Sequence, residues 1–215
     1  LLPEAKDYKR IGDGDLGPNT GGMGSVSPVM FADKSFMKKV EERIITPTIH
    51  GLKKENIPYR GFIFFGLINV GGEPMVIEYN ARMGDPETQS VMLRLKSDLV
   101  ELLYHTAIGD LQGKKAEFYD DFAVTVSMVA SGYPGSYKKG SEIVVSQPDR
   151  LFFHAGTKTI DKILRSDGGR VISAVGKAKT LTGAIHEAYT TASGISWEGV
   201  YFRKDIGKDL LQNPS

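Results

Sequence analysis

The stretch Val76-Ile77-Glu78-Tyr79-Asn80-Ala81-Arg82 carries the clearest chemistry in the chain. Side chains alternate faces along a strand, so Glu78, Asn80 and Arg82 would project from one face at steps of about 6.6 Å. A carboxylate and an amide oxygen suit a hard cation such as Mg²⁺ (or Mn²⁺), and a guanidinium beside them suits a phosphate bound to that cation. Magnesium keeps substrate phosphate oxygens among its ligands, so two protein donors are enough. The plainer alternative is a polar edge facing solvent. On either reading Ile77, Tyr79 and Ala81 face the other way, into a core.

A second candidate lies upstream. From Gly12 to Gly24, six of thirteen residues are Gly, so the backbone has wide freedom at positive φ. Successive amides in such a loop can form a nest for an anion. No Gly-Lys-Ser/Thr closes it as a P-loop, and it does not read as a dinucleotide fingerprint after a strand. Pro18, Asn19 and Thr20 supply turn chemistry that favours an ordered loop over a loose one. Asp7, Lys9 and Arg10, just before it, would by themselves be ordinary surface charge. The four histidines, His50, His105, His154 and His186, lack metal-ligand spacing. No nucleophile elbow is present, so hydrolase chemistry has no support.

These residues need elements to hold them. Phe62–Val70, the Gly71-Gly72 turn and Pro74–Asn80 read as a β-hairpin with a primed turn. A Gly-Asp-Pro-Glu turn follows at 84–87. Asp33 caps a helix bearing Phe36, Met37, Val40 and Ile44, which Pro47 should kink or interrupt. Asp98 caps another, with Gly109 at its end. The polar run Lys114–Asp121 is the best boundary between two units. Beyond it come strands at 122–130, 142–146, 151–155, 170–175 and 200–202. Among them lies one main helix, capped by Thr180 and ended by Gly194. The tail from Lys208 reads as frayed.

The chain has 215 residues, 27 Lys+Arg against 26 Asp+Glu, and no Cys. The near-neutral balance gives no support to nucleic-acid binding, and the absence of Cys removes disulfides and thiolate chemistry. The longest nearly apolar run, 62–68, is far short of the roughly 18 residues a membrane helix needs. The simplest setting is the cytoplasm. The start Leu1-Leu2-Pro3, close before a glycine-rich motif, reads as the interior of a longer protein, although a short natural N-terminus would look the same.

Seven segments occur together in a known order. They are Lys6-Asp7-Tyr8-Lys9-Arg10, Asp15–Gly24, Glu78–Gln89, Gly132-Tyr133-Pro134-Gly135, His154–Lys158, Gly168-Gly169-Arg170-Val171 and Arg203–Gly207. In them the chain resembles the phosphoribosylamine–glycine ligases, ATP-grasp enzymes of purine biosynthesis. The resemblance covers nearly the whole chain, and its most specific part is Arg82-x-Gly-Asp-Pro-Glu-x-Gln89. It implies an α/β (α+β) fold. Residues 1–118 would be the C-terminal portion of an ATP-grasp domain, with antiparallel sheet and flanking helices. Residues 119–215 would be a small β-rich domain like the C-terminal domain of biotin carboxylases.

The implied reaction joins glycine to 5-phosphoribosylamine through glycyl phosphate, with ATP as phosphate donor. The resemblance makes Glu78 and Asn80 the metal ligands, Arg82 and Asp85 catalytic, and Arg82 and Lys9 the contacts to ATP. Asp7, Asn19, Thr20, Gly21, Gly22, Met23, Pro86 and Glu87 would line the substrate end. Two departures stand out. A second metal-binding Glu, usual in biotin-carboxylase-type relatives, would fall at Gly66 or Leu67. The family's N-terminal domain and adenine-binding lid have no counterpart in these residues. The isolated chain is therefore expected not to catalyse ligation and to need the missing N-terminal half as partner. The competing readings are a non-catalytic fragment or phosphate-binding scaffold and, more weakly, a carboxylating enzyme, which the Gly-Asp-Pro-Glu turn disfavours.

Overall fold

The computed structural model describes residues 1–212. Its centre is a six-stranded antiparallel sheet. The order is Lys6–Asp7, Gly24–Ser27, Phe122–Ala130, Arg170–Ala178 and Phe152–His154, with Val200–Tyr201 pairing the far end of Phe122–Ala130. The sheet crosses the expected division at 118/119, since Ser25 lies opposite Thr125. Phe122–Ala130 is buried almost throughout, which is why it reads as a continuous run of Ala, Val and small residues rather than an alternating one.

Each face of that strand has its own helix. Val26, Val124 and Val126 meet Ala184, Ile185 and Ala188 of the helix Leu181–Ser193. Small residues bring this helix close: a Cβ on Gly176 would run into the backbone of Ala184 and Ala188. On the opposite face a polar relay ties down the helix Glu87–Leu93. Ser90 Oγ lies 2.7 Å from both Ser25 Oγ and Thr125 Oγ1, and Ser25 donates to the Pro86 carbonyl at 2.8 Å. Arg94 closes the same face by donating to Ser27 Oγ at 2.7 Å. The three hydroxyls of Ser25, Ser90 and Thr125 are buried and find partners within the cluster, whereas Arg94 Nε is buried without one.

The caps fall where the sequence places them. Asp33 accepts from the Phe36 amide, Asp98 from that of Glu101 and Thr180 from that of Gly183. Gly109 takes the left-handed conformation at its helix end, whereas Gly194 does not. Pro47 interrupts without bending the chain away: a wide helical turn at Glu41–Ile45 precedes it, and Thr46–Lys54 continues as helix. Pro removes an amide from the helical run, and it falls just after the wide turn, where the Thr46 amide reaches back to the Glu41 carbonyl.

Several expectations change. The hairpin is Phe64–Val70 with Glu73–Asn80, and Gly71 and Gly72 both have positive φ, as a primed turn requires. Its second face is not core: Ile77 is 65% and Tyr79 53% exposed, and Ala81 is exposed as well. The hairpin forms a separate two-stranded sheet, and that face stays largely open, with Tyr79 meeting the edge of Phe65 and its hydroxyl 3.5 Å from that of Thr48. The 84–87 turn runs directly into the Glu87–Leu93 helix, which the short spacing concealed. A small hairpin at Thr157–Ile160 and Ile163–Ser166 also went unread, because Asp161 and Lys162 make its turn at positive φ without glycine. The tail is helical over Lys208–Gln212, with Leu210 buried. The expected fraying beyond that point lies outside the described residues.

The close helix–sheet contact predicts opposite effects at two glycines. Gly176→Ala forces backbone apart and should cost about 2 kcal/mol. Gly51→Ala, in a helix with open space around it, should add about 0.5–1 kcal/mol. Urea denaturation of both variants decides the matter. A Gly176→Ala protein as stable as the parent would contradict this packing.

Candidate active site

The metal-binding expectation rests on the second hairpin strand. The pairing slips once, between Gly66 and Leu67, so that Glu78 lies opposite Gly66, Tyr79 opposite Phe65 and Asn80 opposite Phe64. From Glu78 onward alternation is regular, so Glu78 and Asn80 share a face. Glu78 is exposed and Asn80 half-buried. The strand ends at Asn80, and Arg82 lies beyond it, donating to the Met83 carbonyl at 2.8 Å. The donor set is one carboxylate and one amide oxygen on adjacent same-face positions, which fits a hard cation that completes its shell with phosphate and water. No cluster of three or more His, Asp or Glu that could hold a metal occurs among the described residues.

Lys9 connects this face to a second group of acids. Its Nζ is 2.6 Å from Asp7 Oδ2. Burial works to lower the Lys9 pKa, but the pairing with Asp7 and the charges of Glu87 and Glu78 leave it raised. Both Asp7 oxygens are shielded from solvent without a well-oriented hydrogen bond. Burial therefore pushes the Asp7 carboxyl up, against the pull of Lys9 and Arg170. Glu87 is 7% exposed, and burial, then the neighbouring Asp7 charge, lifts its carboxyl from 4.5 to about 7.

The turn carrying Asp85 and Pro86 is locked from the other half of the chain. Arg170 grips the Asp85 carboxylate with both ends of its fork (3.2 and 2.9 Å) and donates to the carbonyls of Asp85 (3.1 Å) and Gly21 (2.9 Å). The Gly21 amide donates to Tyr133 Oη at 2.9 Å. Gly22, at φ +119°, would place a Cβ 2.3 Å from Pro86 Cδ and 2.9 Å from Asp7 Oδ1. Only glycine fits there, on both counts.

The expected substrate residues divide accordingly. Asp7, Lys9, Gly21, Gly22, Asp85, Pro86 and Glu87 come together. Thr20 joins them through the Lys9 carbonyl, which accepts from both its amide and its hydroxyl (2.7 and 2.9 Å). Asn19 pairs with Arg10 in a small hairpin, Arg10–Gly12 with Leu16–Asn19. Met23 and Pro86 are fully buried, so they support the site as packing. The glycine-rich loop is ordered, as its turn residues suggest, but it is not an open anion nest. The amides of Gly14, Thr20, Gly21, Gly22 and Met23 all donate to protein acceptors. The residues the sequence left without a role are Arg170 and Tyr133. Both sit in segments that carried the resemblance, Gly168–Val171 and Gly132–Gly135.

Residues 1–88 match the family model "Phosphoribosylglycinamide synthetase, ATP-grasp (A) domain", and residues 123–209 match its "C domain". The phosphoribosylamine–glycine ligase of Agrobacterium fabrum is 44% identical over 209 residues, which cover 96% of this chain and 49% of that protein. A bifunctional purine biosynthetic protein of Pichia angusta is 45% identical over 95% of this chain and 27% of its own length. Among solved structures, the phosphoribosylamine–glycine ligase of Thermotoga maritima superposes with a TM-score of 0.88 at 40% identity, over 95% of this chain and 51% of that one. The biotin carboxylase domain of Hydrogenobacter thermophilus 2-oxoglutarate carboxylase shares the fold alone, at TM-score 0.58 and 14% identity over 90% of this chain and 46% of that one. The chain spans about half the length of the first curated relatives it matches.

The buried Glu87 carboxyl gives the fold a pH signature. Between pH 4.5 and 7 the folded protein keeps a proton that the unfolded chain has released, so stability falls as pH rises through that window. The groups facing it are Asp7, Lys9 and Asp85. Glu87→Gln removes this linkage, and the variant should gain about 3 kcal/mol on the parent between those pH values. Urea unfolding at a series of pH values tests this; parallel curves for the two proteins would remove Glu87 as the cause.

Proposed function

The chain belongs to the phosphoribosylglycinamide synthetase family, with segments of its ATP-grasp (A) and C domains, and from that premise we propose that it is the metal- and substrate-bearing part of a glycine–phosphoribosylamine ligase. The observation that carries this reading is the nearness of the Glu78–Asn80 strand end to the Lys9–Asp7–Glu87 group: a Cβ on Gly84 would lie 2.6 Å from Phe64, the partner of Asn80, and 2.7 Å from the Glu87 carboxylate, and Lys9 pairs with Asp7 at 2.6 Å. The ligation makes its bonds at phosphate and carboxylate oxygens and at an amine. Both anionic and cationic groups must therefore stand within one cleft.

Glu78 and Asn80 would hold Mg²⁺, which when bound neutralises the charge of the ATP phosphates. Arg82, just past the end of that strand, would meet the γ-phosphate as a glycine carboxylate oxygen attacks it and ADP leaves. Lys9 adds a second positive charge against the same phosphates. The amine of 5-phosphoribosylamine then attacks the acyl carbon of glycyl phosphate, and phosphate departs. Asp7, beside Gly22, and Glu87, beside Gly84, would receive the amine end of a substrate. Asp85, held by Arg170, acts by fixing the turn rather than by touching the reacting atoms. The division into units 1–118 and 119–215 finds support in the gap between the two matched family segments, although one sheet draws strands from both sides of it.

One observation favours inactivity of this chain alone. Ile68, Val70, Met75 and Ile77 of the hairpin and Val100, Leu103, Tyr104 and Ile108 of the helix Leu99–Ile108 are exposed. That is more uncovered apolar surface on two elements than scattered surface residues explain. The N-terminal half present in the relatives would cover it and bring the nucleotide pocket.

A chimera in which this chain replaces the matched segment of the Agrobacterium fabrum ligase should release phosphate from ATP only when glycine and phosphoribosylamine are both present. The isolated chain should not turn over. In the chimera Glu78→Ala should cut turnover at least about 100-fold with an unchanged melting temperature, because Glu78 is exposed. Normal turnover in that variant would refute the metal assignment.

A further inference from the structure

The proposed chemistry leaves one strongly bound charge unused. Arg203 is 1% exposed, yet it lies in the segment before the C-terminal helix, far in sequence from every residue assigned to the site. Its fork holds Asp205 through Nε and Nη2 at 2.8 and 2.7 Å. Its Nη1 reaches Asp15 Oδ1 at 2.7 Å and the Arg10 carbonyl at 3.1 Å. The guanidinium also lies 5.3 Å from the centre of the Tyr8 ring. Its neighbours repeat the pattern. The Lys204 amide donates to Asp13 at 2.7 Å, the Gly14 amide to Asp205 at 2.8 Å, and Tyr201 Oη to the Ile11 carbonyl at 3.1 Å.

All these bonds converge on the hairpin Arg10–Asn19 and its tip at Asp13–Asp15. That hairpin has no core of its own: Leu16–Asn19 is exposed at every position. A bare two-stranded hairpin is marginal in water, so its orientation must come from elsewhere. Its base is Lys9 and Thr20, and Thr20 Oγ1 in turn accepts from the Gly22 amide at 2.9 Å. Tilting the hairpin therefore moves Lys9 and the 19–22 backbone together.

We propose that Arg203 is a positioning residue for substrate binding: by gripping the hairpin tip through Asp15 and the Arg10 carbonyl, it fixes Lys9 and residues 19–22 against the cleft. This rests on the ligase reading for what the cleft binds, but not for the mechanical link itself. Holding both oxygens of Asp205, one of Asp15 and a carbonyl takes four bonds, which the planar five-donor fork supplies and the three donors of an ammonium do not.

Arg203 is buried, so its removal risks unfolding; Asp15 provides the cleaner test. Its side chain is 63% exposed, and Asn tolerates its positive φ of 55°. In the chimera, Asp15→Asn should raise KM for phosphoribosylamine or glycine about tenfold, with kcat within about twofold. Arg203→Lys should move KM in the same direction and further. Hydrogen exchange at the Thr20 and Gly22 amides of Asp15→Asn should quicken about tenfold, while the strand Phe122–Ala130 stays protected. Unchanged exchange at those amides overturns the link, and this readout needs no activity, so it decides even if the chimera is inactive. Faster exchange with unaltered KM overturns the role in binding, and altered KM without faster exchange overturns the role through position.

Discussion

The strand Phe122–Ala130 is bonded along both edges and covered on both faces, and the rest of the molecule is arranged around that constraint. One edge is shared in tandem by Gly24–Ser27, which leads out of the glycine-rich loop, and by Val200–Tyr201, which leads into the Arg203 segment. The other edge carries Arg170–Ala178. Three segments far apart in sequence are thus set in register by one strand, and each delivers part of the site. Although Ser127 Oγ is buried here without a partner, a strand buried on both faces favours apolar side chains or polar ones with partners at hand. Thr125 is such a polar residue, and through Ser90 and Ser25 it reaches the Pro86 carbonyl at the site itself.

The site residues sit mostly on turns, which a sheet does not orient by itself. Arg170 supplies the missing restraint. It begins its strand at a bulge, where the register with Phe122–Ala130 slips between Arg170 and Ile172. Bulges re-aim side chains next to functional sites, and here the guanidinium meets the Asp85 turn and the Gly21 carbonyl together. As a half-exposed ion pair this clamp adds no more than about 1 kcal/mol of stability. Its importance is geometric, since two parallel bonds fix direction as well as distance. Fixing the turn also fixes Glu87, whose carboxyl is buried beside Asp7 with Lys9 as the nearest cation. Desolvating two acids around one ammonium is unfavourable for folding alone, and such strain is typical of places where a ligand's charge completes the balance.

The parts legible in the sequence are those where one local rule decides. Asp33, Asp98 and Thr180 cap helices because a short acceptor side chain satisfies the first free amides, and Gly71-Gly72 turns a hairpin because both positions need positive φ. The Glu78–Asn80 face follows from alternation. What escaped reading depended on distant partners. Alternation says that Ile77 and Tyr79 share a face, but not whether anything covers it. The glycine-rich loop looks like an anion nest until the acceptors contributed by Tyr133 and Asp205 are in place. Arg170 and Arg203 carry no local signal at all; their importance lies in what they bridge. The resemblance drew attention to their segments without saying what they do.

The same logic bears on how few metal donors the strand offers. Gly66 lies opposite Glu78, and a Cβ at Gly66 would come within 2.8 Å of Glu78 Cγ. The Glu78 side chain leans over the space that a side chain at position 66 would fill. A second carboxylate there would have to displace the first as well as repel it, in a region where Lys9 is already shared among Asp7, Glu87 and Glu78. The hairpin thus leaves room for one acid and one amide, and under the proposed metal assignment the remaining oxygens would come from the nucleotide and water. Magnesium accepts that division readily, because it gives up its waters reluctantly and favours phosphate oxygens over a full set of protein ligands. The glycine opposite Glu78 is therefore better understood as clearing room for that carboxylate than as a lost ligand.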